Sequence, residues 1–440
     1  MIITLDTRST KKVENYGGSW ELLPRASLST PPDLGLRIVR RDDKEVEFVL
    51  HGAMIDHEDG QLIGQSIRTA NEIVARSNEC RLAWLDSIVG LSVPHVDRQT
   101  QEDKYAKPFQ DAWDQSTQPE LLATAAPKLA LAGNRLFMAI FEGSGNEDLK
   151  VLAAVLRAKL AFKSCHLAIT SSEIFPPWGM MYTHPTLGER LAADGTNWRK
   201  EGFWGYQHLV HQNPVQVRLP ATGRLDPAAP ALLSVNFDDR LATNLNLPII
   251  DCHIDLIQKL VAEPRIRRTK KSELAQDFTT KRESLESILY FYCHGKGIGA
   301  DAGKAVEPHL IFTDGEVNAG DFEYWSDGDK PLSTSPLIFI NACQGGQMQT
   351  LFYESFAITL LKQGAIGLVG AQVDVPAVFA AEYGHQVFSA FFTKSKQPVR
   401  MGPLLQKVNR VMWDDYKNPL GLVYSLYRGV NCYIDWEGTP

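Results

Sequence analysis

The chain has 440 residues, 44% of them hydrophobic and 22% charged, with a formal net charge of −7. That length holds two or three domains, and the composition is that of a globular protein rather than a disordered one. The acidic balance argues against broad nucleic-acid binding, and six cysteines scattered over such a length do not make a disulfide framework, so a reducing cytosol is the simpler setting.

The chain begins Met1-Ile2-Ile3-Thr4-Leu5-Asp6, with no basic segment ahead of a long apolar run, so no signal peptide is expected. Ile2–Leu5 is a short strand candidate. Leu36–Arg40 and Glu45–Leu50 alternate around Asp42-Asp43-Lys44, the pattern of a β-hairpin. Gln61 to Asn78 carries helical spacing. Asp97 to Pro119 is polar and reads as a mobile connector. Residues 1–124 thus form a β-rich and helical region, a candidate regulatory or docking unit.

From about residue 125 strand and helix signals alternate. A helix is expected over Val151–Phe162. Strands are expected at Cys165–Thr170, Leu232–Asn236, Ile288–Tyr292, Pro336–Asn341 and Ala365–Gln372. Helices over Ile249–Val261 and Tyr353–Gln363 lie between some of them. Apolar strands alternating with helices predict an α/β fold, a mainly parallel sheet flanked by helices. The longest apolar stretch, Ala357–Val373, is broken by Lys362, Gln363 and Gln372, so no transmembrane helix is expected.

Two of the strands end in reactive residues. One runs Ile288-Leu289-Tyr290-Phe291-Tyr292-Cys293-His294-Gly295; the other runs Pro336-Leu337-Ile338-Phe339-Ile340-Asn341-Ala342-Cys343, then Gln344-Gly345-Gly346. The carboxyl ends of parallel strands gather along one crevice, so His294 and Cys343, 49 positions apart, are predicted neighbours. A thiol titrates near ~8.5 and needs a base to become a good nucleophile at neutral pH. His294 can take that proton and pass it to a leaving amine. Gly295 admits a substrate close to the backbone. Its N–H and that of Cys343 can form an oxyanion hole. Cys80, Cys165, Cys252, Cys293 and Cys432 read as packing residues.

These motifs resemble a known family. Tyr292-Cys293-His294-Gly295 with Asn341-Ala342-Cys343-Gln344-Gly345 is similar to the CHAT domain, a caspase-like cysteine peptidase of the clan that includes caspases and separase. The His–Cys spacing is also that of caspase-type enzymes. Supporting likenesses run from Gly133-Asn134-Arg135-Leu136-Phe137, through Phe175-Pro176-Pro177-Trp178 and Phe203-Trp204-Gly205-Tyr206, to Pro308–Gly315 and Gly364–Gly370. Gly179 stands where the family usually has Glu. The resemblance covers residues 125–440, which it implies form a caspase-like peptidase domain. It implies His294 as general base, Cys343 as nucleophile, and the Gly295 and Cys343 amides as the oxyanion hole. It also places Asp374 where such folds line the pocket for the residue before the scissile bond; a carboxylate there would favour Lys or Arg. A strand-end cap or turn residue is the plainer role for Asp374.

Other signals are weaker. Gly297–Lys304 lacks the spacing and the Ser or Thr of a phosphate loop and reads as a flexible loop beside the His. His208 and His211, and Asp251-Cys252-His253, lack paired zinc-ligand motifs and read as ordinary residues, so neither metal nor cofactor is expected. Arg265–Lys271 reads as a solvated basic loop, or else as a docking patch or self-cleavage site. The function that follows is a regulated cytoplasmic cysteine endopeptidase. Its expected partners are a protein substrate and a regulatory or sensor protein, with no direct nucleic acid and no membrane. The resemblance implies a bacterial defence or cell-death circuit. The alternatives are a catalytically silent caspase-like scaffold, and a Cys–His enzyme that transfers or deamidates an amide.

Overall fold

The computed structural model describes residues 31–41, 45–56, 60–96, 103–143, 146–214, 223–227, 231–240, 243, 249–280, 286–298, 307–326, 332, 334–343, 351–395 and 397–436. Ile2–Leu5, Asp42–Lys44, Gly345 and Gly346 lie outside them. The chain folds as two compact units. Pro31–Val215 with Asn409–Ser425 form one; the described residues of Gln216–Val408 and Leu426–Pro440 fall in the other.

In the first unit, β1 (Leu34–Arg40), β2 (Val46–His51) and β3 (Gln61–Ser66) form an antiparallel meander. The expected hairpin is therefore present and gains a third strand. Gln61–Asn78 is not one helix: its first six residues are β3, and α1 (Ala70–Trp84) begins after Thr69. The break has a local cause. Thr69 accepts from the Glu72 amide and Glu72 reaches back to the Thr69 amide, a capping box that fixes the helix start.

β4 (Val93–Val96) and β5 (Asp103–Ala106) make a ribbon, and α2 (Pro108–Asp111) follows. From Asp103 to Pro119 the polar stretch is thus no mobile connector, and 97–102 lie outside the described residues. Phe109, Trp113 and Gln115 are buried, the Gln115 amide donates to the Tyr416 carbonyl and the Asn418 side chain to that of Trp113. Residues 124 and 125 both lie within α3 (Pro119–Phe137), which α4 (Glu147–Phe162) follows. β6 (His166–Ser171) runs parallel to β1, and β7 (Leu209–Pro214) runs parallel to β6.

His208 and His211 are core residues here. His208 Nδ1 accepts from the Cys165 amide, and His211 Nδ1 stands 3.0 Å from His166 Nε2. Burial first, then the charge of Arg410 for His208 and of His166 for His211, pushes both down to about 3. An unfolded His binds its proton near pH ~6.5, so between that value and about 3 the unfolded chain holds protons that the folded one refuses. Stability should therefore fall as pH drops below neutrality, by up to about 1.4 kcal/mol per pH unit for each such His. Urea midpoints at pH 7, 6 and 5 should decline, and less steeply for His211→Gln. Equal slopes for the two proteins would refute this account.

The second unit carries β8 (Arg224–Leu225), β9 (Leu233–Phe237), α6 (Ile249–Lys259), β10 (Ile266–Arg268), α7 (Lys271–Thr280), β11 (Ile288–Ile298), β12 (Glu307–Phe312), β13 (Gly315–Asn318) and α8 (Ala319–Trp325). (The one-turn helix Trp204–Gln207 of the first unit is α5.) Then come β14 (Leu337–Cys343), α9 (Leu351–Lys362), β15 (Gly367–Ala371), α10 (Ala377–Phe391) and β17 (Tyr433–Ile434), while α11 (Met401–Asp414) and β16 (Tyr424–Arg428) each have part of their length in the first unit. Strands β10, β9, β11, β14 and β15 are parallel neighbours in that order, and β12 and β13 extend β11 as an antiparallel ribbon. The expected mainly parallel sheet with flanking helices and a β-rich beginning is what the chain forms.

Period-two alternation, with helices on both faces, explains why β11 is apolar from Ile288 to Cys293. Tyr290 packs on Phe388 of α10 and His253 of α6, whereas Phe291 packs on Phe322 of α8. With helices against both faces, Ile288 to Cys293 are completely buried. α10, unforeseen in the sequence, is buried at fourteen of its fifteen residues, which makes it the core helix of this unit. Among the described residues no helix is long and apolar enough to cross a membrane.

The basic run Arg265–Lys271 is not a solvated loop. It is the edge strand β10 leading into α7, and Arg265, Arg267, Arg268 and Lys271 each pair with a carboxylate. Charged residues suit an edge strand because they discourage further pairing. Gly297 and Ile298 continue β11 instead of opening a loop; the rest of Gly297–Lys304 lies outside the described residues. Of the cysteines read as packing residues, Cys80, Cys165, Cys293 and Cys432 are buried, but Cys252 is exposed on α6.

Candidate active site

Strand register brings the two predicted positions together. β11 and β14 pair from Ile288 opposite Leu337 to His294 opposite Cys343. Ladder partners on neighbouring strands lie about 4.8 Å apart, so backbone positions 49 residues apart in sequence stand side by side. Cys343 is the last residue of β14. At His294 β11 changes partner: from there to Ile298 it pairs with β12. The neighbouring parallel strands stop earlier, β9 opposite Tyr292 and β15 opposite Ile340. His294 and Cys343 therefore occupy the carboxyl edge of the sheet, where α/β folds open their crevices.

His294 is the first half-buried residue after six fully buried ones on β11. It has the parity of Tyr290 and Tyr292, which face α6 and α10, while Cys293 turns away with its Sγ against the Asn236 carbonyl. Gly295 is buried and pairs with Leu310 of β12.

A polar network lies directly behind these strand ends, and sequence reasoning missed it. Asn341, two residues before Cys343, donates both amide hydrogens, one to Tyr290 Oη at 3.0 Å and one to the Ala380 carbonyl at 2.7 Å. Tyr290 Oη also stands 2.8 Å from His253 Nε2. Tyr292, two residues before His294, donates to the Ala377 carbonyl at 2.9 Å. Burial, then repulsion from His385, pushes His253 down to about 3, so it serves as a neutral hydrogen-bonding group. The network ties β11 and β14 to the first turns of α10. A buried network with its donors satisfied makes a rigid support. The available signal was the presence of Tyr290, Tyr292 and Asn341 at alternate positions of otherwise apolar strands.

Asp374 lies in the segment between β15 and α10, two residues before the Pro376 cap, and is 3% exposed. It is on the same carboxyl edge as His294 and Cys343, since β15 ends just before it. Among the described residues no three His, Cys, Asp or Glu side chains cluster as metal ligands.

No family model matches the chain. No curated protein matches it either. Among solved structures the chain is similar to the Arg-specific cysteine proteinase gingipain R (RgpB), with 10% identity and a TM-score of 0.37 over 64% of this chain and 68% of that one. A complex of the Porphyromonas gingivalis RgpB pro- and mature domains gives 9% identity and a TM-score of 0.39 over 64% and 69%. The Saccharomyces cerevisiae separase–securin complex gives 10% identity and a TM-score of 0.41, covering 91% of this chain but 30% of that one.

Proposed function

We propose that the protein is a cysteine endopeptidase of caspase-like type, with the motifs of a CHAT domain, and that it cleaves a partner protein. The observation that carries this reading is the register pairing of His294 with Cys343 at the carboxyl ends of adjacent parallel strands. In this reading His294 takes the proton from Cys343 Sγ as the sulfur attacks the scissile carbonyl carbon. The carbonyl electrons move to oxygen, and the Gly295 and Cys343 amides receive that oxyanion. Collapse of the intermediate breaks the C–N bond, and the imidazolium gives its proton to the leaving amine. Water, deprotonated by His294, then hydrolyses the thioester and restores the thiol.

Asp374 belongs to this proposal as the carboxylate that selects Lys or Arg before the cut. Residues 1–124 belong to it as a regulatory or docking region, and the setting is a cytoplasmic bacterial defence or cell-death circuit in which a sensor protein releases the activity. The test is mass spectrometry of wild type and Cys343→Ala, each incubated with proteins encoded by neighbouring genes. A discrete fragment made by wild type alone, cut after Lys or Arg, is expected. Absence of any fragment, together with a Cys343 thiol inert to alkylation, would favour the silent scaffold.

A further inference from the structure

A cavity of about 290 Å³ opens on the first unit between α1, the end of α3 and the turn beyond it. Its floor is apolar, with Cys80 and Leu136 both 2% exposed. Its walls carry Arg68, Arg76 and Arg135 against a single carboxylate, Glu79. Arg76 Nη1 donates to both oxygens of Glu79, at 2.7 and 2.8 Å, so that pair is internally neutral. Arg68 spends its Nε on the Ala139 carbonyl, which fixes its position and leaves its terminal nitrogens without an acceptor among the described residues. Arg135 is exposed and makes no ion pair or side-chain hydrogen bond among the described residues. Glu72, at the start of α1, feels the charge of both Arg68 and Arg76. Three guanidinium groups thus stand against two carboxylates around an apolar hollow, a local positive excess in a chain of net charge −7.

Exposed apolar residues neighbour the lining residues along the chain. Ile67, next to Arg68, is 75% exposed; Leu82, one helical turn from Glu79, is 55% exposed; Met138, one turn from Arg135, is 40% exposed. The volume lies just below the range of small-molecule sites, about 300–1,000 Å³, and suits one or two side chains. Guanidinium groups match carboxylates by bidentate hydrogen bonding. Exposed apolar side chains this near in the chain offer contact beyond the hollow, of the kind a polypeptide can use.

We propose that this cavity is a docking site for an acidic segment of a protein partner, which seats a Glu or Asp between Arg68 and Arg135 and lays apolar neighbours on Ile67, Leu82 and Met138. The proposal deepens the partner element of the proposed function and rests on it only there. Its readout is binding, so loss of the peptidase reading leaves it standing, and its own failure leaves the dyad untouched.

The experiment is fluorescence anisotropy of the full chain with a short fluorescein-labelled peptide of alternating Glu and Leu. Its counterpart has Gln in place of Glu. The Glu peptide is expected to bind, the Gln peptide about tenfold more weakly or worse, and Arg135→Glu to weaken the Glu peptide by a similar factor. Arg135→Glu should unfold close to the wild-type melting temperature, because the Arg135 side chain has no hydrogen bond or ion pair to lose among the described residues. No binding of the Glu peptide, equal affinity for both peptides, or unchanged affinity in Arg135→Glu would each overturn the proposal. So would displacement by millimolar inorganic phosphate beyond that caused by chloride of equal ionic strength, which would mark a small-anion site.

Discussion

Replacing His294 with Ala is expected to slow substrate cleavage by about 10⁴-fold, and replacing Cys343 with Ala by at least as much. The two residues are ladder partners at the ends of β11 and β14. In the proposed mechanism neither acts alone: the sulfur needs a base, and the imidazole needs a nucleophile to deprotonate. Effects of groups that work as a unit do not multiply, so the double variant should be no slower than Cys343→Ala. Initial rates of fragment appearance measure all three. Retention of a tenth of the wild-type rate in His294→Ala would remove it from the mechanism, provided the variant unfolds at the wild-type urea midpoint.

The largest stability effect is expected at Arg268, not in the apolar core. Its guanidinium is 4% exposed and pairs with Glu286 at 2.7 Å and Asp277 at 2.6 Å, and Nη1 also reaches Asn236 Oδ1 at 3.2 Å. One side chain of the edge strand β10 thereby joins β9, α7 and the residue that precedes β11 by two. Arg268→Met leaves the Glu286 carboxylate, 1% exposed, buried without its partner. The expected loss is about 3–5 kcal/mol, read from the urea midpoint. Adding Glu286→Leu should restore much of it, because an apolar pair of similar volume no longer buries a lone charge. If the double variant is less stable than Arg268→Met, the buried-charge account is wrong.

Much of the site-bearing unit was legible because apolar strands buried on both faces leave an unambiguous run of residues, as at Ile288–Cys293 and Leu337–Ala342. The expected strands end within three residues of β9, β14 and β15, and β11 runs on to Ile298 because β12 gives it a new partner. The His–Cys juxtaposition was legible from the same strand ends. Three things were not. β3 is hidden in the sequence because Leu62 and Ile63 also fit a helical face, and only the Thr69–Glu72 capping box marks where α1 begins. The Arg265–Lys271 charges concealed a strand because edge position and buried ion pairs are tertiary facts. The cavity between Arg68 and Arg135 joins residues far apart in the chain, with no shared local pattern to announce it.

The first unit is closed by a late segment. Asn418 reaches the Trp113 carbonyl, and Asp414 accepts from both Lys200 and Tyr206. On a ribosome, Asn409–Ser425 appears about 200 residues after Val215, a delay of about 10–40 s at ordinary elongation rates. Through that interval the earlier residues must wait without the segment that completes them. The waiting unit is open to holding chaperones and to proteases, and a nascent chain that stalls before residue 409 never closes it.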